Sequence, residues 1–374
     1  MELGRRGGRH VVGLRRRRPG GVIGSDRSAL IDGYYAFELP EHAGVPRALA
    51  RWPHALAAPL NRIGALRGLA LTFASIRYEA IVCVRADPGW RSLLLGRAVL
   101  GRRRKLVVLQ FIVHPHRAGG RGRLADVIWD PIDRWAVRRA MRRGQVLSAW
   151  ERDEYAVRYR LRPERFVYVP WAWRRTPAGG PPPPRGAGVL AAGRAFCDWP
   201  TLFAAEEAEA AEGRPWKLTV VCGGHDLGRV RNLNRAGRAM VHCDIPERDY
   251  ARLLAQTGVL VIPMRDAGIS QGHARLTDAN QAGVPVVASA TRSLQRYTTD
   301  GVNALLVPSG DPQALARAVR RLLEDAALAE RLRTAAWERS AAWTWSDYIG
   351  AIRAVIADRP PDLPPDGQET ATGR

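Results

Sequence analysis

Short apolar runs alternate with helical periodicity along the second half of the chain. Each apolar run is four to six residues long and rich in Val, Leu, Ile and Ala. Such runs with helices between them are typical of a parallel sheet that is covered on both faces. The predicted strands are 189–193, 217–222, 258–263, 284–289 and 303–308; the predicted helices are 201–211, 246–256, one that begins at the Gly272-His273 step and one that opens at Asp311-Pro312. This half is predicted to be a Rossmann-like domain.

The first half has the same alternation in a weaker form. The predicted strands are 80–84, 106–113 and 165–170, and the predicted helices are 131–144 and 151–161. The run 10–14 is a candidate for the first strand, but four arginines follow it directly. Glu151 and Tyr155, at the start of the second helix, are expected to cap or pack rather than to catalyse.

The strongest domain boundary is the segment 176–188, whose four consecutive prolines favour a stiff extended spacer. The pattern predicts an α/β protein with two Rossmann-like domains. Its predicted parts are a disordered basic N-terminus over 1–27, a first domain over 28–175, the Pro-rich linker over 176–188, a second domain over 189–345, a helix over 346–358 that returns to the first domain, and a disordered tail over 359–374.

Positive charge is concentrated in the first half. Of the 58 Lys and Arg residues, 35 lie in residues 1–180, together with 14 of the 36 Asp and Glu residues. This half therefore has a net charge of +21, and the remainder has +1. Such an asymmetry favours an anionic partner, either nucleic acid, acidic lipid or a phosphorylated substrate. A solvated arginine-rich face is the alternative interpretation.

The cysteines and the apolar runs bear on cellular location. Cys83, Cys197, Cys222 and Cys243 lack the spacing of metal ligands, and two of them lie in predicted strands. Reduced core cysteines are typical of a cytoplasmic protein. The N-terminus has no apolar stretch typical of a secretory signal, and no run reaches the ~18 apolar residues of a membrane span. We expect a cytoplasmic protein that is soluble or peripheral on the inner face of the membrane.

A candidate binding site lies where the strand 258–263 gives way to the next helix. Ligands of open parallel sheets bind beyond the carboxyl ends of the strands, near helix N-termini. Ser270, Gly272 and His273 fall at such a helix start, where free N–H groups and the helix dipole favour a phosphate. Asp278 follows about one turn later and is placed to accept hydrogen bonds from a ribose. The alternative is that Asp278 is a solvated helix residue.

The same segment carries a family resemblance. The run "GISQGHARLTDANQAGVPVVAS", followed by "YTTDGVNALLVPSGDPQALARAV", resembles the donor-binding domain of GT-B glycosyltransferases, especially glycosyltransferase family 4. The resemblance is specific over residues 270–312 and diffuse over the rest of 78–357. It implies two Rossmann-like domains that face each other across a cleft, with the nucleotide-sugar donor on the second domain and the acceptor on the first.

The resemblance also assigns residues. It places Arg194, Ser270, Gly272 and His273 at the donor diphosphate, and Asp278 at the donor ribose. It makes His114, just past a first-domain strand, the candidate that contacts the transferred sugar, whereas the alternative is a capping or surface histidine.

Three departures from the family pattern limit these assignments. Relatives commonly carry two acids eight residues apart. Asp278, shortened from Glu, fits the second, but the first position is Ser270, and Ser270 with Gly272 resembles instead the Ser-x-Gly branch of these enzymes. Relatives also usually have a Lys after the Gly-Arg step that ends here at Arg194. The last Gly of the family's Asp-Gly-x-x-Gly pattern is Ala304. No Asp-x-Asp metal motif appears, so we expect no cofactor and no metal.

The basic first half then fits an acceptor that is linked to a membrane. In the segment 131–143, Trp135, Val137 and Met141 lie among five arginines, which is typical of an interfacial amphipathic helix. We therefore expect an acceptor glycan or glycolipid and an anionic membrane surface as partners. Nucleic acid is disfavoured, because no recognised nucleic-acid-binding motif appears.

The predicted function is transfer of a sugar from a nucleotide-sugar to an acceptor hydroxyl in envelope polysaccharide or glycolipid synthesis. The family favours hexosyl transfer with retention of the anomeric configuration. One alternative is a nucleotide-sugar epimerase on the same fold, which would need paired carboxylates in the first half. Another is a catalytically silent basic scaffold that binds an anionic polymer.

Overall fold

The protein is described here from a computed structural model. The structure describes residues 30–31, 39, 43–44, 64–85, 89–101, 104–113, 120–172 and 182–364, and only the backbone of 30–31, 43–44 and 120–128. The predicted disordered N-terminus over 1–27 and the candidate strand 10–14 lie outside these residues.

The first sheet is parallel and has the order β2-β1-β3-β4-β5-β6. Its strands are β1 (Leu30–Ile31), β2 (Ala43–Gly44), β3 (Ile81–Val84), β4 (Leu106–Leu109), β5 (Met141–Val146) and β6 (Phe166–Tyr168). The helices of this part of the chain are α1 (Gly64–Ala74), α2 (Trp90–Leu100), α3 (Gly120–Ala140) and α4 (Ala149–Tyr159). The central strands are buried on both faces, which explains their continuous apolar sequences.

The second sheet is also parallel, with the order β12-β11-β10-β7-β8-β9. Its strands are β7 (Val189–Gly193), β8 (Leu218–Cys222), β9 (Met240–Cys243), β10 (Val259–Ile262), β11 (Val286–Ser289) and β12 (Leu305–Val307). The helices that follow in sequence are α5 (Trp199–Ala211), α6 (Leu227–Leu233), α7 (Glu247–Ala255), α8 (His273–Ala282), α9 (Pro312–Glu324), α10 (Ala326–Ala341) and α11 (Trp345–Ile356). The predicted α/β class with two parallel sheets is confirmed.

Local chemistry fixes the ends of several helices. Asp311 caps α9 as its sequence indicates, since its carboxylate accepts the backbone N–H of Ala314 at 2.9 Å. Gly283 ends α8 with a φ of +64°, a left-handed conformation that glycine adopts at little cost.

The prediction of one basic helix over 131–144 is wrong. Helix α3 ends at Ala140, and residues 141–146 form strand β5 between β4 and β6. Val137 on α3 and Met141 at the start of β5 are both buried in the first-domain core, so neither can contact a membrane surface. Arg142 and Arg143 hydrogen-bond to Ile356 and Asp358 near the chain's last helix. An amphipathic helix over 131–143 therefore does not exist as a membrane-binding unit.

The C-terminal segment packs against the first domain, and the described part of the linker packs against the second. Residues of α11 lie in one core with β3 and β4 of the first sheet, and Leu363 is partly buried against the same core. The packed chain thus extends past the predicted tail boundary at residue 358. The described part of the linker lies along the second domain, where the carbonyl of Pro183 accepts Arg333 Nη1 at 2.7 Å.

Among the described residues, every helix is too short or too polar to cross a bilayer.

Candidate active site

The start of α8 lies beyond the carboxyl end of β10, as the sequence predicts. Gly272 is the N-cap of α8 and has a φ of +82°. A Cβ at this position would approach Met264 Sδ to 2.8 Å, so both the conformation and the space call for glycine. The first N–H groups of an α-helix have no partner within the helix. The first turn of α8 can therefore receive an anion.

Ser270, two residues earlier, faces the first domain. Its backbone N–H donates to Glu151 Oε1 at 3.2 Å, and its hydroxyl donates to Ser148 Oγ at 2.8 Å. Both of its polar groups are thus engaged by the N-terminus of α4. The backbone N–H groups that an anion could reach at this helix start are therefore those that follow Gly272.

His273 is the first residue of α8, and its side chain is buried. Ring atom Nε2 lies 2.8 Å from the carbonyl oxygen of Ser293, and the ring packs on Tyr297 with centroids 4.3 Å apart. Burial lowers the pKa of His273 to about 4, which keeps the imidazole neutral near pH 7. Its ring contacts the protein interior, so the predicted diphosphate role could be filled only by its backbone N–H.

Asp278 lies in the second turn of α8, and its side chain is only 6% exposed. Its carboxylate accepts Arg275 Nη1 at 3.0 Å. The guanidinium carbon of Arg275 in turn lies 4.1 Å from the ring centroid of Tyr250 on α7. Asp278 is therefore a buried, paired acid rather than the solvated helix residue of the alternative interpretation.

Arg194 follows β7 at the same edge of the second sheet. Its side chain is 64% exposed, and Nη2 lies 3.7 Å from the carboxylate of Asp244. A Cβ on Gly223, after β8, would lie 3.7 Å from Arg194 Cγ, so the two strand ends bring these residues together. Arg265, on the loop before α8, is also exposed. Two guanidinium groups thus lie at the carboxyl ends of β7 and β10, and the chain from β10 leads into α8.

The candidate sugar-contacting residue of the first domain, His114, lies outside the described residues. A cavity of about 290 Å³ lies at the carboxyl ends of β3 and β4, immediately before it in sequence. The cavity lining includes Arg85, Trp90, Trp129, Asp130, Asp133 and Arg158.

Arg85 organises the floor of this cavity. It donates to Tyr159 Oη at 3.0 Å and to Asp133 at 3.4 Å, and Tyr159 donates to the same carboxylate at 2.9 Å. Its guanidinium carbon also lies 4.5 Å from the centroid of Phe111. Burial acts to lower the pKa of Arg85, but Tyr159 and Asp133 outweigh it and the net shift is upward. The guanidinium is therefore a fixed positive charge.

Asp130 is held by two arginines at the cavity rim. It accepts Arg158 Nη2 at 2.9 Å and a contact from Arg134. Burial acts to raise the pKa of Asp130, but these hydrogen bonds outweigh it and lower the pKa overall. The cavity thus offers carboxyl groups, guanidinium groups and aromatic faces side by side.

Sequence reasoning missed two parts of this arrangement. The cavity was missed because Arg85 and Asp133 are far apart in sequence and no motif links them. The contact of Glu151 with Ser270 was missed because it joins two domains, whereas the capping role expected for Glu151 is confirmed by a capping box with Ser148.

Comparison with known proteins finds similarity over the second domain. Residues 189–325 match the family model of group 1 glycosyl transferases. The D-inositol 3-phosphate glycosyltransferase 1 of Catenulispora acidiphila is 36% identical over 78 residues, which are 21% of this chain and 19% of that protein. The phosphatidyl-myo-inositol mannosyltransferase of Mycobacterium leprae is 42% identical over 80 residues, 21% of each chain. The chain spans about a fifth of the length of these relatives.

The fold resemblance extends over most of the chain. The structure of Anabaena HepE in complex with UDP-glucose has a TM-score of 0.63 at 14% identity, and the match covers 89% of this chain and 100% of that one. The predicted GT-B architecture is confirmed. The predicted resemblance to group 1 glycosyltransferases is confirmed over residues 189–325.

Proposed function

We propose that this GT-B protein, with a group 1 glycosyltransferase domain over residues 189–325, transfers a sugar from a nucleotide-sugar to an acceptor hydroxyl. The observation that carries the proposal is the glycine-capped start of α8. It lies at the carboxyl edge of the second sheet, inside the matched segment, and its neighbour Ser270 contacts the first domain. A site at this place can hold a donor on one domain and present it to the other.

The donor diphosphate would bind between the first turn of α8 and Arg194. The amides after Gly272 and the positive end of the helix dipole attract the negative charge that develops on the leaving nucleotide. Arg194 supplies a cation that a ligand can reach, because most of its side chain is exposed. Asp278, one turn further along α8, would accept hydrogen bonds from the ribose in place of the one that Arg275 now donates. We propose that this set acts without a metal or cofactor, so turnover is expected to persist in EDTA.

The acceptor would enter from the first domain through the cavity at β3 and β4. Sugars and polyols present hydroxyl groups that donate to carboxylates and accept from guanidinium groups, and Asp133 with Arg85 offers that combination. Trp129, 42% exposed, offers an apolar face on which a sugar ring can pack. This chemistry supports a glycan or glycolipid acceptor. Hexosyl transfer and retention of the anomeric configuration are proposed from the family resemblance alone.

A membrane surface is proposed as a partner, on a face different from the predicted helix. Leu66, Leu69, Phe73 and Ile76 follow one stripe along α1 and its continuation, and all four are exposed. Val99 and Leu100, at the end of the packed neighbour α2, are exposed as well. Residues 64–78 contain no acid, Arg77 and Arg104 are exposed nearby, and one exposed acid, Glu79, follows the stripe. An apolar stripe flanked by cations fits an anionic leaflet, with the protein on its cytoplasmic side.

Incubation with a panel of nucleotide-sugars that includes UDP-glucose, and with polyol and glycolipid acceptors, tests the function. Mass spectrometry of the products is expected to find a glycosylated acceptor and free nucleotide diphosphate in equal amounts. An altered nucleotide-sugar without transfer would support the epimerase. Polymer binding without turnover, and without stabilisation by any nucleotide diphosphate, would support the scaffold. Either result contradicts the proposal.

A further inference from the structure

The carboxyl group of Glu151 joins the two domains at the α8 turn, which we define as residues 270–272. Glu151 is fully buried in the first turn of α4. Its Oε2 accepts the backbone N–H groups of Leu147 at 3.2 Å and Ser148 at 3.1 Å. Its Oε1 accepts the hydroxyl of Tyr155 at 2.9 Å and the backbone N–H of Ser270 at 3.2 Å. One oxygen thus caps α4, and the other holds the second domain.

A second connection leads from the same carboxylate to the acceptor cavity. The hydroxyl of Tyr155 donates to Glu151 and accepts the backbone N–H of Val113 at 3.1 Å. Val113 lines the cavity at the carboxyl end of β4. A continuous chain of hydrogen bonds therefore runs from the acceptor cavity through Tyr155 and Glu151 to Ser270.

We propose that Glu151 is a positioning residue for sugar transfer, which fixes the α8 turn against the first domain and, through Tyr155, keeps donor and acceptor sites in register. The inference rests on the proposed function. Transfer needs the reacting atoms within about 3–3.5 Å, and the donor and acceptor lie on different domains. A fixed bond between the two sites restricts their relative movement.

The burial of Glu151 exceeds what helix capping needs. The capping box of α11, formed by Thr344 and Asp347, is exposed to solvent and makes the same cap bonds. Burial raises the pKa of Glu151, whereas the hydrogen bonds from Ser270 and Tyr155 act to lower it. Burying this carboxyl group costs free energy. Beyond the helix cap, what Glu151 contributes is the hydrogen bond to Ser270.

Four donors around one side chain call for a carboxylate. In Glu151→Gln, the amide oxygen can replace only one of the two carboxylate oxygens, and the NH₂ group then faces donors. If it faces Ser270, two N–H groups oppose each other and the interdomain bond is lost. If it faces Leu147 and Ser148, the cap is lost. Tyr155→Phe is a narrower change, because it removes the link to Val113 and leaves the Ser270 and cap bonds in place.

Hydrogen exchange with mass spectrometry, combined with steady-state kinetics, tests the inference. Glu151→Ala removes both oxygens and therefore breaks the interdomain bond whatever the orientation. In this variant, amide exchange in a peptide that covers residues 264–276 is expected to accelerate about tenfold or more, and kcat to fall by a similar factor. In Tyr155→Phe, KM for the acceptor is expected to rise while KM for the donor stays within twofold. Asp347→Asn, which removes the exposed cap of α11, is the matched control and is expected to change neither exchange at the α8 turn nor KM.

Unchanged exchange at residues 264–276 in Glu151→Ala would reduce Glu151 to a helix cap and overturn the inference. If Glu151→Ala does not fold, Glu151→Gln and Tyr155→Phe decide: wild-type exchange and kinetic constants in both would overturn the inference. Absence of transfer in the wild type would contradict the proposed function instead. The exchange measurement needs no substrate, so the two failures are distinguishable.

Discussion

Replacing Asp278 is expected to weaken both the second domain and its hold on the donor. The carboxylate is 6% exposed and lies 3.0 Å from Arg275, itself 26% exposed. Asp278→Ala leaves that guanidinium without its carboxylate in a half-buried place. Loss of a hydrogen bond between charged groups costs about 1.5–3 kcal/mol. In a domain of this size, 1 kcal/mol shifts Tm by about 2–4 °C.

A double-mutant cycle separates the pair from the donor contact. Asp278→Ala, Arg275→Ala and the double variant are melted without ligand and then titrated calorimetrically with an accepted nucleotide-sugar. The double variant is expected to lose less stability than the sum of the two single variants, because neighbouring groups couple by about 0.5–3 kcal/mol. Donor affinity is expected to fall about tenfold in Asp278→Ala.

Two results would refute this reasoning. Additive melting of the single variants would mean that the Asp278–Arg275 contact contributes nothing to stability. Wild-type donor affinity in Asp278→Ala would remove Asp278 from the ribose site, while the fold assignment would stand.

Three further changes are predicted. Because the pKa of His273 falls from about 6.5 unfolded to about 4 folded, only the unfolded chain takes up a proton between these values. The free energy of unfolding is therefore expected to decline by up to about 3 kcal/mol as pH falls from 6.5 to 4. In urea melts, His273→Gln should lack this dependence on pH, whereas His225→Gln, at an exposed histidine, should retain it. Gly272→Ala is expected to weaken donor binding and to lower stability, each by about 1–2 kcal/mol, because alanine must adopt a left-handed φ at this position. Donor affinity equal to wild type in a calorimetric titration would contradict this. Phe73→Gln is expected to reduce co-sedimentation with anionic vesicles severalfold, with neutral vesicles as the control; equal binding would exclude the α1 stripe.

The sequence predicts the second domain better than the first for a physical reason. Strands such as 189–193 are buried on both faces, so each is a continuous apolar run between helices. Strand β9 lies at the sheet edge and is partly exposed, so its sequence carries little apolar signal. Strand β5 contains Arg142 and Arg143, and its sequence resembles a continuation of helix α3. Its strand conformation depends on pairing with β4 and β6, which the local sequence does not show.

In the candidate site, too, features set by the local sequence are predicted, and contacts between distant segments are not. Gly272 and the helix start are encoded locally, by a glycine with positive φ before a helix. The Arg275–Asp278 pair is likewise local, because residues three apart on a helix are neighbours. The partners of Arg85 depend on packing between elements, and periodicity does not reveal them. Ser270 was assigned to the donor from its position, but its amide and hydroxyl face α4 because the two domains meet there.

The substitution at position 270 and the burial of Glu151 bear on each other. The family resemblance expects an acid at 270, and this chain has Ser270 there. The structure brings the carboxylate of Glu151, from the other domain, to 3.2 Å from the backbone nitrogen of that residue. A second acid side chain at 270 would place two carboxylates together in a buried site, where like charges destabilise each other. A small hydroxyl that donates to Ser148 avoids that repulsion. Ser270→Glu is therefore expected to lower stability and transfer together, and Glu151→Gln in the same chain is expected to recover part of the stability.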